Sequence, residues 1–123
     1  GPERPALEQR AQELGLSNVL TFRGELSRTQ VMETMARSKV LFHPSQYESF
    51  GFVYAEALQA GMAIISRPTG VAAEGPGWHL ASTAEDLTKA LLDWFAEPRS
   101  LSRSEPFPLA ATVEAYREVY AAR

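Results

Sequence analysis

The chain has 123 residues, of which 45% are hydrophobic and 22% are charged, and its formal net charge is -3. This length and composition are typical of one globular domain with a core of its own. The negative balance argues against nucleic-acid binding, because the chain has no excess of basic residues. The absence of cysteine excludes disulfides and thiolate metal sites and is compatible with a reducing compartment. No apolar run approaches the roughly 20 residues that span a bilayer, and no signal peptide is visible.

The first part of the chain alternates between helical and strand-like patterns. Apolar residues recur at helical spacing after Pro5, a residue that fits a first helical turn. Short apolar runs bounded by turn residues indicate strands. In chain order we predict a helix from Pro5 to Gly15, a strand at Val19–Phe22, a helix beginning at a Ser27–Gln30 capping box and a strand at Val40–Phe42.

The same alternation continues through the rest of the chain. Residues 98–108 are rich in proline, and we interpret them as a connector to a last helix. In chain order we predict a helix from about Ser49 to Ala60 stopped by Gly61, a strand at Ala63–Ile65, a Gly/Pro-rich loop from Arg67 to Gly77, a weak strand at Trp78–Leu80, a helix beginning at a Ser82–Glu85 capping box and an amphipathic helix marked by Val113, Tyr116 and Tyr120.

Apolar strands that alternate with helices along the whole chain predict the fold class. Continuously apolar strands are typical of a parallel sheet that is covered by helices on both faces. The fold class is therefore α/β, with a Rossmann-like parallel sheet. In such sheets ligands bind beyond the carboxyl ends of the strands, where the following helices begin. The strand at Val40–Phe42 leads to that edge, so the stretch after it is the candidate site.

Two glutamates flank a glycine at the predicted start of the helix after this strand. Free backbone amides at a helix start favour phosphate oxygens, and Gly51 would let a ligand approach the backbone closely. Glu48 would lie in the loop before the helix and Glu56 one to two turns inside it. Carboxylates accept hydrogen bonds from hydroxyl groups, which sugars carry in abundance. The alternative is structural: the glutamates only favour the positive helix end, and the glycine only allows close packing.

The segment HPSQYESFGFVYAEALQAGMAIIS (residues 43–66) resembles the donor-site signature of the retaining group 1 glycosyltransferases, glycosyltransferase family 4, which have the GT-B fold. Seven residues separate Glu48 from Glu56, as in that signature. The resemblance extends over nearly the whole chain. The residues that carry it are Pro44, Ser45, Glu48, Ser49, Phe50, Gly51, Glu56, Ala57 and Gly61.

This resemblance implies a role for each matching residue. Glu48 would be the catalytic-site residue that contacts the hydroxyls of the donor sugar. Glu56 would accept hydrogen bonds from the ribose of the nucleotide. The donor diphosphate would lie on the amides of Gly51, Phe52 and Val53, beside Ser49. The turn formed by Arg23, Gly24, Glu25 and Leu26 would match the edge that holds the nucleobase.

The resemblance also implies how the chain fits into an enzyme. Residues 1–123 would be most of the C-terminal, nucleotide-sugar-binding domain of a hexosyltransferase-type enzyme, without its first strand and helix. Its partners would be a nucleoside-diphosphate sugar and a missing N-terminal domain, with no nucleic acid, no membrane insertion, no cofactor and no metal. We expect residues 1–123 alone to be inactive and to be able to self-associate through an exposed sheet edge. The location would be cytoplasmic, or at the inner face of a membrane for the parent enzyme.

Single residues in and around the candidate site carry further expectations. We expect Phe42, Phe50 and Phe52 in the core and His43 as a packed or hydrogen-bonded histidine. The loop at 69–74 departs from the family pattern because it lacks one glycine and shifts Glu74 by one position, which puts a sugar contact by this glutamate in doubt. The alternative function is a non-catalytic nucleotide-binding or interaction module on the same fold.

Overall fold

The computed structural model describes residues 1–97, 103–104 and 108–121, with only part of the side chains in the last helix. The chain divides into two compact units, Gly1–Val31 and Met32–Arg123. Among the described residues the elements are α1 (Arg4–Glu13), α2 (Arg28–Ala36), β1 (Val40–His43), α3 (Phe52–Ala60), β2 (Ala63–Ser66), β3 (Trp78–Leu80), α4 (Ala84–Ala96) and α5 (Leu109–Ala121).

The first unit contains α1, and the strand predicted at Val19–Phe22 is wrong for this structure. The amides of Val19 and Leu20 both donate to the carbonyl of Leu16, each at 3.0 Å, so this segment is a turn. Val19 is 75% exposed. A strand needs a ladder partner for its backbone groups, and no described strand pairs with this segment.

The start of α2 confirms the predicted capping box. The Gln30 amide donates to Ser27 Oγ at 3.3 Å, and the Ser27 amide donates to Gln30 Oε1 at 2.9 Å. Each side chain therefore satisfies a backbone donor of the other residue, as the sequence pattern requires. The helix ends before β1, with Met35 buried on its inner face.

The sheet of the second unit has the order β1-β2-β3, and all pairs are parallel. Three predicted strands are thus confirmed, with β1 and β2 each one residue longer than expected. All four residues of β2 are buried, which explains why the run is apolar without alternation. Helix α3 between β1 and β2, together with α4 after β3, completes an α/β, Rossmann-like arrangement, as predicted.

One face of this sheet packs against α3. Tyr54 is fully buried, and its ring lies 4.9 Å from the ring of Trp78, between centroids. Trp78 pairs with Ile64 in the ladder, and its indole N–H donates to buried Ser66 Oγ at 3.0 Å. Because side chains alternate along a strand, Ile64 and Ser66 share this face.

The opposite face of the sheet packs against α4. Ala63 and Ile65 form a buried cluster with Leu87 and Trp94, and Val40 packs against it. Fully burying one such aliphatic side chain stabilises the fold by about 1.5–3 kcal/mol. Helices therefore cover both faces of the sheet, as the sequence predicts.

The start of α3 differs from the predicted helix, which begins near Ser49. The first helical residue is Phe52, because Gly51 before it has φ 86° and ψ 53°, a left-handed conformation that a right-handed helix cannot include. The predicted stop is confirmed: Gly61 has φ 78°, and its amide donates to the carbonyl of Leu58 at 3.0 Å.

The start of α4 corrects a second prediction by one residue. The cap is Thr83 and not Ser82: the Asp86 amide donates to Thr83 Oγ1 at 3.0 Å, and the Thr83 hydroxyl donates to Asp86 Oδ2 at 2.7 Å. Glu85 is therefore not the capping partner. Most of the connector predicted at residues 98–108 lies outside the described residues, and the predicted last helix is present as α5.

Candidate functional site

The loop between β1 and α3 lies at the carboxyl edge of the sheet. β1 ends at His43, and Pro44 follows it without a backbone donor for further pairing. Because the three strands are parallel, their carboxyl ends share this edge. Residues 44–51 therefore begin where ligands bind in α/β sheets and end at a helix start.

His43 and Glu48 form a hydrogen-bonded pair in this loop. His43 Nε2 lies 2.8 Å from Glu48 Oε1, and the two side chains are 22% and 28% exposed. A carboxylate accepts hydrogen bonds, so the imidazole tautomer that fits this contact is the one with its proton on Nε2. The expectation of a packed or hydrogen-bonded His43 is confirmed, and its partner is the predicted catalytic glutamate.

Tyr54 fixes the imidazole from the side of α3. The two rings meet edge to face, with centroids 5.2 Å apart and an interplanar angle of 89°. The Tyr54 hydroxyl lies 3.0 Å from Thr69 Oγ1, in the loop after β2. His43 is thus held by a ring that is itself packed and hydrogen-bonded.

The first turn of α3 carries the predicted diphosphate amides. Gly51, the residue at the cap position, has no side chain and therefore makes no side-chain cap hydrogen bond. The Tyr54 amide donates to the Gly51 carbonyl at 3.0 Å, whereas the amides of Phe52 and Val53 precede the first intrahelical bond. The helix dipole adds partial positive charge at this point. These amides and the positive end of the helix together favour the binding of an anion.

The loop after β2 packs onto the loop that carries Glu48. The Val71 amide donates to the Phe50 carbonyl at 2.9 Å. Gly70 has φ 60°, and a Cβ atom there would lie 2.3 Å from that carbonyl oxygen and 3.2 Å from Glu48 Cβ. Only glycine fits this approach without a shift of the backbone. The sequence pattern shows that this loop lacks one glycine of the family signature, but it does not reveal the role of the glycine that remains.

Arg67 connects the ends of the strands and was also missed by the sequence analysis. Its amide donates to the His43 carbonyl at 3.3 Å, and its Nε donates to the Pro44 carbonyl at 3.1 Å. Its Nη1 donates to the Ser82 carbonyl. The guanidinium thereby satisfies carbonyls on both sides of β2. The signal in the sequence that could have indicated this role is a basic residue directly after an apolar strand.

The three phenylalanines expected in the core are exposed, which corrects the sequence analysis. Phe52 is 71% exposed, Phe42 40% and Phe50 37%. The rings of Phe50 and Phe52 lie 4.7 Å apart. Phe52 is the first residue of α3, and Tyr54 occupies the inward-facing position, so a short apolar run could not reveal which ring is buried.

The remaining predicted residues are spread over both units. Glu56 is half-buried in α3, one turn after Phe52, and Ser49 is exposed in the loop before it. The predicted nucleobase edge, Arg23–Leu26, belongs to the first unit, where Gly24 has φ 69°. Glu74 Oε2 accepts the Leu80 amide at 2.9 Å, so this carboxylate bonds to β3.

Metal-binding clusters and membrane-spanning helices are absent from the described part of the chain. Within residues 1–97, 103–104 and 108–121, no group of three or more histidine, aspartate and glutamate side chains could hold a metal ion. No helix in the described part of the chain has both the length and the apolar character needed to cross a bilayer.

Comparison with known families decides the class of the protein. A family model described as "Glycosyl transferases group 1" matches residues 1–105, and these include the whole loop between β1 and α3. The chain belongs to the group 1 glycosyl transferase family. Glu48 and Gly51 of this glycosyl transferase chain lie inside the matched region, at the carboxyl edge of the sheet.

Two relatives with assigned names resemble this group 1 glycosyl transferase chain. A 2-deoxystreptamine glucosyltransferase of Streptomyces kanamyceticus is 32% identical over 124 residues, which cover 96% of this chain and 30% of that protein. The gpi3 subunit of a phosphatidylinositol N-acetylglucosaminyltransferase of Schizosaccharomyces pombe is 31% identical over 93 residues, which cover 76% of this chain and 20% of that protein. The chain therefore spans less than a third of the length of either relative. No solved structure matches this chain.

Proposed function

We propose that this chain is the C-terminal, nucleotide-sugar-binding domain of a retaining glycosyltransferase with the GT-B fold, of glycosyltransferase family 4. One observation carries the proposal: a carboxylate held by a histidine at 2.8 Å precedes a helix start that has no side-chain cap. Both features lie at the carboxyl edge of a parallel sheet, within the region that matches the family. A hydroxyl-rich anion such as a nucleotide sugar suits this combination.

In this proposal the donor lies along the loop and the first turn of α3. The diphosphate oxygens accept hydrogen bonds from the amides of Gly51, Phe52 and Val53, with Ser49 beside them. Glu48 accepts a hydrogen bond from a hydroxyl of the sugar. Glu56, one turn further along α3, accepts hydrogen bonds from the ribose.

The reaction moves a sugar from the donor to a hydroxyl acceptor and keeps the anomeric configuration. The bond between the anomeric carbon and the diphosphate oxygen breaks, and a bond to the acceptor oxygen forms on the same face of the sugar. The acceptor proton passes to the departing diphosphate. The enzyme then acts mainly by positioning and by stabilising negative charge on the leaving group. In this scheme neither a cofactor nor a metal is required.

The names of the relatives support a hexosyltransferase-type activity. One is named a glucosyltransferase and the other a subunit of an N-acetylglucosaminyltransferase, and both of these sugars are built on a glucose skeleton. Because this chain covers 30% and 20% of their lengths, we propose that it works together with an N-terminal domain in a longer enzyme. We propose a cytoplasmic location for that enzyme, and no sugar transfer by residues 1–123 alone.

NMR titration with uridine, guanosine and adenosine diphosphates tests donor binding. The proposal predicts amide shifts centred on Gly51 and Glu56 for at least one nucleotide. The start of α4 is a matched control within the same chain, because Thr83 caps it. Equal shifts at both helix starts, or no response to any nucleotide, would contradict the proposal.

Activity measurements test the catalytic part. In the full-length enzyme, Glu48→Gln should reduce turnover strongly, because the neutral amide is a weaker acceptor than the carboxylate. Glu74→Gln is the control, since this exposed carboxylate bonds to β3. Any sugar transfer by purified residues 1–123 would refute the proposed inactivity of this part.

A further inference from the structure

The contact between His43 and Glu48 gives the two carboxylate oxygens of Glu48 different hydrogen-bonding roles. Oε1 accepts the hydrogen bond from His43 Nε2 at 2.8 Å. Within the described part of the chain, no hydrogen bond to Oε2 is present. A carboxylate with one oxygen fixed has a defined orientation and keeps its second oxygen as an acceptor.

The position of His43 is determined by elements outside the loop that carries Glu48. His43 is the last residue of β1 and pairs with Ser66, so its side chain lies on the α3 face. There the edge-to-face contact with fully buried Tyr54 restricts the imidazole. Glu48, by contrast, lies in an irregular segment between β1 and α3. His43, which the sheet and α3 hold in place, therefore orients Glu48 in the loop.

We propose that His43 is a positioning residue that fixes one oxygen of Glu48 and leaves the other for a hydroxyl of the donor sugar. This inference rests on the proposed function, because it needs Glu48 to contact the sugar. It adds a requirement that the glutamate alone does not impose: the Nε2–H donor must be present at the end of β1. The imidazole contacts no substrate atom in this role and takes no proton from one.

Replacing His43 by glutamine or by asparagine separates the effect of its hydrogen bond from the effect of its packing. The terminal amide of glutamine reaches the place of Nε2, whereas the amide of asparagine reaches only the place of Nδ1. His43→Gln should therefore preserve the bond to Glu48, and His43→Asn should lose it. His79→Asn is a matched control, because His79 is an exposed histidine on β3. Its Nδ1 lies 3.8 Å from the carboxylate of Glu74, in the loop before that strand.

The experiment is steady-state kinetics of the full-length enzyme with its nucleotide-sugar donor, after urea unfolding has shown that each variant is folded. We expect His43→Asn to lower kcat on the order of 10- to 100-fold with little change in the donor KM, since a hydrogen bond to a charged group is lost. His43→Gln should recover most of kcat, and His79→Asn should match the unchanged enzyme. If His43→Asn is unfolded, His43→Leu, which also lacks the donor, replaces it.

A double variant separates this inference from the proposed function. If His43 acts through Glu48, the H43N/E48Q enzyme is no slower than the E48Q enzyme. Losses that multiply in the double variant, equal losses for asparagine and glutamine at position 43, or an unchanged kcat in H43N would each overturn the inference. They would leave the proposed function intact as long as E48Q is slow. An E48Q enzyme with full activity would instead refute the proposed role of Glu48 and the inference with it.

Discussion

Replacing Gly51 by alanine tests how the start of α3 is built. Gly51 has φ 86°, and an added Cβ atom would lie 2.5 Å from Tyr54 Cε2 and 2.6 Å from Cδ2. The tyrosine ring cannot simply turn away. It packs against Trp78 and His43 on the sheet, and its hydroxyl bonds to Thr69. The new methyl group therefore forces either the ring or the helix start to move.

Two separate costs add up in this variant. A non-glycine residue in the left-handed region costs about 1–2 kcal/mol. Overpacking a well-filled core costs about 1–3 kcal/mol, because side chains leave their preferred rotamers or the backbone shifts. The sum predicts that Gly51→Ala lowers the free energy of unfolding by about 2–5 kcal/mol. Domains of this size are stabilised by about 5–15 kcal/mol in total, so the loss would be large.

Urea unfolding followed by circular dichroism measures this loss as a shift of the midpoint at a constant slope. Two other glycines serve as controls. Gly15 has φ 69° with no atom within 4 Å of an added Cβ, so Gly15→Ala measures the conformational cost alone. Gly75 has neither a left-handed φ nor an atom within 4 Å of an added Cβ, so Gly75→Ala should leave the free energy of unfolding nearly unchanged. If Gly51→Ala loses no more stability than Gly15→Ala, the steric argument about Tyr54 is wrong.

Three further predictions concern single contacts. Thr83→Ala should lower the free energy of unfolding by about 1 kcal/mol through loss of the α4 cap, and Ser82→Ala should not; equal urea midpoints would contradict the assignment of the cap. Ser66→Ala removes the buried acceptor of an indole N–H at 3.0 Å and should cost about 1–3 kcal/mol in the same assay. The hydrogen bond and the charge of Asp93 raise the pKa of Lys89 above 10.5, so Asp93→Asn should lower this pKa in an NMR titration. Because the folded-state pKa is raised, any stabilisation by this pair is present at neutral pH and is lost as the pH rises above 10.5. If Asp93→Asn leaves the pKa of Lys89 unchanged, Asp93 is not the cause of the shift.

The buried strands could be predicted from the sequence because their signal is local. Residues 40–43 and 63–66 are short apolar runs between turn residues, and both faces of the sheet are covered. The run at 19–22 has a similar composition, but a strand also needs a ladder partner, which composition does not encode. Local signals likewise could not choose between adjacent hydroxyl residues as the cap of α4, since Ser82 and Thr83 are both good caps.

The candidate site was only partly predictable for a related reason. Glu48 and Gly51 follow from the family-like spacing, whereas the bond between His43 and Glu48 joins a strand end to an irregular loop. A separation of five residues there is neither a helical nor a strand period. The contact of Gly70 with the Phe50 carbonyl joins two loops that are distant in sequence. Such contacts depend on how β1 and β2 align, and this alignment is set by the core.

The starts of α3 and α4 differ in a way that explains why we expect an anion at α3 and not at α4. At α4 the Thr83 side chain accepts a hydrogen bond from the Asp86 amide. Asp86 and Glu85 also add negative charge in the first turn. At α3 the corresponding position is Gly51, which offers no acceptor, and no acidic residue lies in the first turn. Glycine stabilises a helix start only a few tenths of a kcal/mol less than a good cap, so the amides of α3 stay uncapped at small cost. An aspartate at position 51 would fill that place with a carboxylate, and it would repel the diphosphate that we propose to bind there.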